Sequence, residues 1–558
     1  MLLFLTQLII KELTSTNLLL LSSQPYFFVS FSCIRNQDNQ IRCIFFFSDV
    51  TCTYEKKDGV HFMIDEKYDI VGQATRNIKQ ILAIISEEKR WYTILEISER
   101  SDMITRTVQR YIHELDARIR NFNDDNIQLL VTKNKGVFLE LHPGADLPGF
   151  SLFLLEDNIT IDLLKSLFFE NFHSVKKFAY DNFMSETTVR RLLKMFQEIV
   201  EPYKINLTRE TFTIDGKESQ IRLFIYIIFW KVYRGATWPF ETINRKLINS
   251  HVDKVATILK LNLTAIHKQQ IAYILAINII RVRKKHFIEK EERWDHYINI
   301  EEDYSGYKKF KAIFEDMNMG SDGEISFFYL IMETRPKIYE VKEISDRIMN
   351  YHKKQNSSIW LATELFLIRF SENFLEIPED QRSIFITNSF CAHLFCDLFD
   401  NFSLDINGYE YLDNHEKFYP ILSTKLDSLI DELYAETQNK IFLEKEFLLT
   451  RYALLFSLLK PLTYFEKEIQ IVLDTDLPKL AELNLKNQIL DTLKYRYTIV
   501  FLDKNNAEEA DLFLTTTPTP LLINQYLDGK VLYIGSQLSP RDFINIETIV
   551  VDTIKEKN

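Results

Sequence analysis

The chain has 558 residues, of which 46% are apolar, with 43 Phe and 26 Tyr against only 13 Gly and 13 Pro. That length suggests roughly three to five domains, and low Gly and Pro beside long apolar-periodic runs imply a mainly α, multidomain protein and exclude a collagen-like or linker-rich one. The net charge of −12 excludes a chain that is basic throughout; residues 72–145 (11 Lys/Arg, 10 Asp/Glu) and 158–217 (9 and 8) are near neutral, so the acidic remainder would repel DNA and confine any such contact to these two stretches.

Residues 1–62 differ from the rest. The opening MLLFLTQLII is apolar but lacks a basic flank, is interrupted by Lys11 and Glu12, and is too short to span a bilayer. A poor signal or anchor, a real extra domain, and an over-extended reading frame with Met63 as the natural start compete here, and the last is favoured. Of the cysteines, Cys33, Cys43 and Cys52 lie in this segment, and Cys391 and Cys396 lie far along the chain. None forms a CxxC pair, so neither a disulfide framework nor a metal site is expected, in keeping with a reducing cytoplasm.

From Thr93 to Phe138 the order is short helix, turn at Ser101–Met103, longer helix, hairpin. The second helix, from about Thr105, carries Val108, Ile112, Leu115 and Ile119 as one apolar stripe. Its other face shows Arg106, Thr107, Gln109 and Arg110, then Arg118 and Arg120. Residues Ile127–Leu141 alternate and turn at Asn134-Lys135-Gly136, with Lys133 and Lys135 at the tip. This is the order of a winged helix-turn-helix, which can put its second helix in a major groove and its wing on the backbone. Such shapes also occur as plain packing units, but a second copy follows. Shifted by 81 positions, Ile94, Ile97, Met103, Val108, Arg110, Ile112, Leu115 and Ile119 fall on Val175, Phe178, Met184, Val189, Arg191, Leu193, Phe196 and Val200. Ser185 is placed to cap its second helix, and a wing-like alternation spans Ile205–Ile214. The DNA-facing candidates are therefore Arg106, Thr107, Gln109, Arg110, Lys133 and Lys135 in the first module and Thr187, Thr188, Arg190, Arg191 and Lys194 in the second.

Residues 218–335 predict helices at Ile221–Tyr233, Val252–Leu261, Ala265–Lys285, Tyr304–Phe314 and Glu324–Glu333, the third almost entirely apolar and hence buried. Residues 336–460 predict five more, at Val341–Tyr351, Ile359–Phe374, Ser383–Phe399, Leu422–Tyr434 and Lys445–Leu459. Beyond Pro461, strands at Glu468–Leu473, Tyr497–Leu502, Ala510–Thr515 and Lys530–Ile534 alternate with helices at Pro478–Leu493 and Ser539–Ile554, which predicts a small parallel α/β domain. No Walker loop, GxGxxG after a strand, HExxH or nucleophile elbow occurs. Paired carboxylates such as Glu87-Glu88 and Asp124-Asp125 are most simply solvated charges, so no enzyme activity, catalytic residue or cofactor is expected.

This order resembles the Mga/AtxA family of transcriptional regulators from Gram-positive bacteria. The resemblance covers about residues 63–558 and rests on NIKQIL at Asn77–Leu82, TRTVQRYIHEL, SETTVRRLL and IAYILAINIIRVR. It implies a doubtful extension at 1–62, winged helix-turn-helix modules at 63–149 and 150–217, two all-helical phosphotransferase-system regulation domains (PRDs) at 218–335 and 336–460, and an enzyme IIB-like domain at 461–558. It further implies a cytoplasmic transcriptional regulator, an activator that binds double-stranded DNA at promoter regions. Phosphotransferase-system relay proteins would phosphorylate PRD histidines, and the chain would form a homodimer or higher homo-oligomer without a membrane partner. The family's A-x-H-x-x-R histidine is replaced here by Asn278, so His251, His267 or His286 would have to substitute in the first bundle. In the second, His393 is the phosphate-acceptor candidate, against the competing reading of a core histidine. The enzyme IIB acceptor cysteine is absent; that place reads Asp474-Thr475-Asp476, leaving an interaction module. A phosphorelay or transport component, and an RNA-binding antiterminator, are the alternatives.

Overall fold

Stretches with apolar residues at three- and four-residue spacing are helices throughout the computed structural model, which describes residues 31–35, 41–45, 72–156, 158–299, 307–404, 419–503, 509–517 and 530–557. The chain divides into two units, Met1–Val60 and His61–Asn558. In the first, strands β1 (Phe31–Arg35) and β2 (Ile41–Phe45) pair antiparallel. The opening apolar run at 1–10 and the expected start at Met63 lie outside the described residues.

The second unit begins with α1 (Gln73–Ser86), α2 (Ile94–Ser101), α3 (Thr105–Phe122) and the hairpin β3 (Ile127–Thr132) and β4 (Gly136–Leu141). Ile78, Ile81, Val108, Ile112 and Leu115 form the core of this module, and Phe150 and Leu154 of α4 (Leu147–Glu156) complete it. The expected boundary at 149/150 thus falls within a helix that gives Phe150 and Leu154 to the first core and Leu155 to the next. Then come α5 (Ile159–Phe168), α6 (Val175–Asp181), α7 (Glu186–Val200) and the short strands β5 (Asn206–Leu207) and β6 (Ile214–Asp215).

Ten α-helices follow among the described residues: α8 (Glu218–Tyr233), α9 (Arg245–Ile258), α10 (Ala265–Arg283), α11 (Tyr307–Asp316), α12 (Asp322–Glu333), α13 (Lys342–Lys354), α14 (Ser358–Asn373), α15 (Glu379–Leu398), α16 (Pro420–Thr437) and α17 (Lys445–Leu459). Thr264 starts α10 by accepting the His267 N–H, and every residue from Gln270 to Arg281 is buried, as the all-round apolar sequence requires. One apolar core runs from Leu155 to Phe456, so the second module and both helical bodies share it.

The final part is a four-stranded sheet of β7 (Glu468–Asp474), β8 (Thr498–Phe501), β9 (Leu512–Thr515) and β10 (Lys530–Tyr533), in the order β10-β9-β7-β8 and parallel throughout. Ile469, Ile471 and Leu473 alternate onto one face, where they meet Leu485 and Ile489 of α18 (Lys479–Leu493) and Ile546 and Val550 of α19 (Pro540–Lys557). Among the described residues, no helix is long and apolar enough to cross a membrane.

Candidate nucleic-acid interface

The first helix-turn-helix is set by local chemistry. Thr93 Oγ1 accepts the Glu96 N–H at 3.1 Å to start α2. The helix stops at Asp102, whose φ of +53° is left-handed, a conformation that Asp tolerates. The Met103 N–H then donates to Ser98 O at 3.2 Å, and Gln80 Nε2 of α1 holds Ser101 O at 3.2 Å. On α3, Val108, Ile112, Leu115 and Ile119 are buried as expected. Arg106, Gln109 and Arg110 are exposed, and Thr107 is half-buried. Arg110 lies over the Tyr111 ring at 4.6 Å. Arg118 is engaged by Glu114 at 3.2 Å and Arg120 by Asp116, so the helix's two later arginines are offset by acids one turn away.

The wing tip, Lys133-Asn134-Lys135, projects both lysines into solvent. Asn134 takes φ +68°, and Gly136 follows at φ +101°. Any Cβ on Gly136 would stand 2.1 Å from Tyr92 O, because Tyr92 and Val137 exchange backbone hydrogen bonds of 2.8 Å and add a third, one-residue strand to the wing. Lys135 Nζ sits 5.7 Å from the Trp91 ring centre.

The second module repeats the design. Ser174 and Ser185 cap α6 and α7, and the Met184 N–H donates to Ala179 O at 2.9 Å, 81 positions after the bond from Met103 to Ser98. Val189, Leu193, Phe196 and Val200 are buried, while Thr187, Arg190, Arg191 and Lys194 are exposed. Arg190 faces Glu186 at 3.5 Å and Lys194 faces Glu198 at 3.3 Å. Thr188 is half-buried, and both its N–H and its hydroxyl meet Ser185 Oγ, at 3.1 and 2.9 Å. It therefore serves the cap before any ligand. The expected alternation over Ile205–Ile214 shortens to two paired residues per strand, since Thr208, Thr211 and Thr213 tie their hydroxyls to one another in a turn. Exposed Arg209 stands in that turn; the sequence reading passed over it, although it is the one cation in the stretch from Ile205 to Ile214.

The candidate phosphate acceptors lie elsewhere. His393 on α15 has no solvent exposure. Its Nδ1 meets Thr363 Oγ1 at 2.8 Å and its Nε2 meets the Tyr452 hydroxyl at 2.7 Å, with Phe366 and Phe442 against the ring. Burial pushes its pKa down to about 3. Both nitrogens are occupied, so this geometry offers none to a phosphoryl donor. His251 is buried, and burial lowers its pKa. His267 is half-buried and lowered by burial first, then by Arg335 and Lys337. His286 is half-buried and held by Glu170 at 2.5 Å. Asn278 is buried beside a small cavity lined by Leu223, Tyr226, Ile274 and Phe327.

Two helix-turn-helix units, a shared helical core and a parallel α/β end define a multidomain, mainly helical protein with a nucleic-acid-binding type of module. Residues 148–229 match the Mga helix-turn-helix domain, which covers the second module and most of α8. Among curated relatives from Bacillus anthracis, the capsule synthesis positive regulator AcpB is 21% identical over 313 residues, 55% of this chain and 64% of that protein. The capsule synthesis positive regulator AcpA is 23% identical over 316 residues, 55% and 62% of the two chains. The anthrax toxin expression trans-acting positive regulator is 23% identical over 202 residues, 36% and 41%. The matched regions thus span less than two thirds of each relative. The chain is thus similar to the Mga helix-turn-helix domain over residues 148–229 and, over 36–55% of its length, to these positive regulators.

Proposed function

We propose that this protein is a DNA-binding transcription regulator acting positively, with α3 and α7 entering successive major grooves and the two wings on the backbone. The observation that carries this reading is the pair Arg110 and Arg191. They occupy the same position of two like modules, both exposed, and neither has an ion-pair partner among the described residues. The relatives' description as positive regulators supports the direction of the effect.

The test is duplex binding by the full chain. A fragment ending at residue 217 is a poor reagent, because α8 and the second module share one core. Arg110→Ala and Arg191→Ala are each expected to cost roughly 1–3 kcal/mol where the guanidinium reads a base. Removing Lys133 or Lys135 weakens all sequences alike and reduces the salt slope by about one. Unchanged affinity after substituting both arginines would remove the reading. Preference for single-stranded RNA would favour an antiterminator instead.

Phosphorylation by phosphotransferase-system proteins is part of the proposal for the helical bodies. For His393 it carries a condition: α15 must separate from Thr363 and Tyr452 before a ring nitrogen is free. The C-terminal α/β part is proposed as an enzyme IIB-like self-association module in a homodimer. Loss of residues 462–558 is then expected to lower the mass seen by light scattering.

A further inference from the structure

Two large aromatic side chains, Tyr180 in the last turn of α6 and Phe183 in the turn that follows it, stand outside the core of the second module. Phe183 is 99% exposed and Tyr180 79%. Phe183 also adopts φ +51°, a left-handed conformation that is unfavourable for a bulky residue. The matching residue of the first module, 81 positions earlier, is Asp102 at φ +53°, and Tyr180 matches Glu99; both are exposed and acidic. The turn therefore forms with an Asp, and an Asn or Gly would suit it better than Phe. A large ring held in solvent on a strained residue stabilises nothing in the chain itself, and such outliers gather where a partner is bound.

Position and charge select the partner. Phe183 lies two residues before Ser185, the cap of α7, at the end of a helix-turn-helix second helix that contacts base edges in docked modules. The segment 174–200 carries five Lys/Arg (Lys176, Lys177, Arg190, Arg191 and Lys194) against three Asp/Glu, and those acids face Lys177, Arg190 and Lys194 on their own helices. Lys177 also lies over the Tyr180 ring at 6.0 Å. Thr93–Phe122 of the first module balances five Lys/Arg with five Asp/Glu. Aromatic rings set among cations suit the apolar edge of a duplex groove, where thymine methyls and deoxyribose lie between phosphates.

We infer that Tyr180 and Phe183 are direct double-stranded DNA contacts of the second module, and that the two modules dock unequally, the first without its turn. This rests on the DNA-binding reading above. The probe is a duplex selected by the unmodified full chain from a random pool, with affinity followed by fluorescence anisotropy across salt concentrations. Phe183→Asn removes the ring and suits the left-handed turn, so the variant is expected to keep or raise its melting temperature. It is expected to lose about tenfold in affinity, more together with Tyr180→Ala, with the salt slope unchanged because no charge is removed. Arg191→Ala serves as the comparison and is expected to lower both affinity and slope. Unchanged affinity in Phe183→Asn and the double variant, beside a weakened Arg191→Ala, overturns this inference and leaves the DNA reading intact. Unchanged affinity with a fall in oligomeric mass overturns it in favour of a second copy as occupant. If Arg110→Ala and Arg191→Ala bind as well as the unmodified chain, the DNA reading falls and this inference with it.

Discussion

Glu170, at the end of α5 in the second module, holds His286, just past α10 in the first helical body, with Oε1 2.5 Å from Nε2. The contact is the outer link of a buried chain of charges. Arg281 lies 3.7 Å from Glu170 and donates twice to Glu218, at 2.8 and 2.7 Å. Glu218 also accepts from Arg222 at 2.8 Å, and Arg222 forks onto Glu324 at 2.6 and 2.8 Å. Glu324 in turn accepts the Ile288 N–H at 2.9 Å. Arg222, Arg281 and Glu324 are all buried. The chain fixes how the second module sits on the helical body, because each charge would be costly to leave unpaired.

Arg281→Met is accordingly expected to destabilise the protein by roughly 2–3 kcal/mol, since it takes from Glu218 both Arg281 hydrogen bonds and leaves it Arg222 alone. Adding Glu218→Gln is expected to recover part of the loss. A urea-denaturation double-mutant cycle checks this; strictly additive effects would show that the two residues do not act as a pair.

His393→Ala removes the partner of two buried hydroxyls, Thr363 and Tyr452, and leaves a cavity. The expected cost is roughly 2–4 kcal/mol. His393→Asp is expected to cost at least as much, because a carboxylate there would be buried without a cation. Equal or greater stability of either variant in chemical denaturation would contradict the described geometry. Phosphopeptide mapping under acid-sparing conditions, with relay proteins supplied, checks whether His393 is reached.

Stability is expected to peak near neutral pH for opposite reasons on its two sides. Burial pushes His352 and His393 down from 6.5 to about 3, so the folded state excludes protons that the unfolded chain binds. Their contribution is complete above 6.5 and is lost as pH falls toward 3, at ~1.4 kcal/mol per unit for each group. Burial raises Glu333 from 4.5 to about 8, so the folded state keeps a proton that the unfolded chain releases. Its contribution is complete below 4.5 and is lost as pH rises through 8. Glu333→Gln copies the protonated form. Urea midpoints of the variant at pH 7 to 9 are expected to decline less than those of the unmodified chain.

Gly136→Ala is expected to disrupt the first wing, costing roughly 2 kcal/mol or more, because the new Cβ meets Tyr92 O at 2.1 Å on a residue with φ +101°. Faster hydrogen exchange at the Tyr92 and Val137 amides would register the loss of their paired bonds.

The sequence by itself determined what depends on neighbours within a few residues. The stripe Val108–Ile112–Leu115–Ile119, the caps at Ser185 and Thr264, the hairpin before Gly136 and the register of the repeat all follow from helix and strand periods and from turn chemistry. The near-continuous apolar run in α10 likewise announced its burial. Which exposed cations are available was only half legible: Arg190 and Lys194 read as equals of Arg191, but Glu186 and Glu198 face the first two in the structure. What only the tertiary structure decided involves partners far apart in the chain. Glu170 and His286 are 116 residues apart, and His393 meets hydroxyls 30 and 59 residues away. The core shared by the second module and both helical bodies is of the same kind. No local period or propensity encodes such pairings, because apolar burial rewards any close-packed arrangement and the choice among them is made by shape and by the few buried charges that tolerate only one partner.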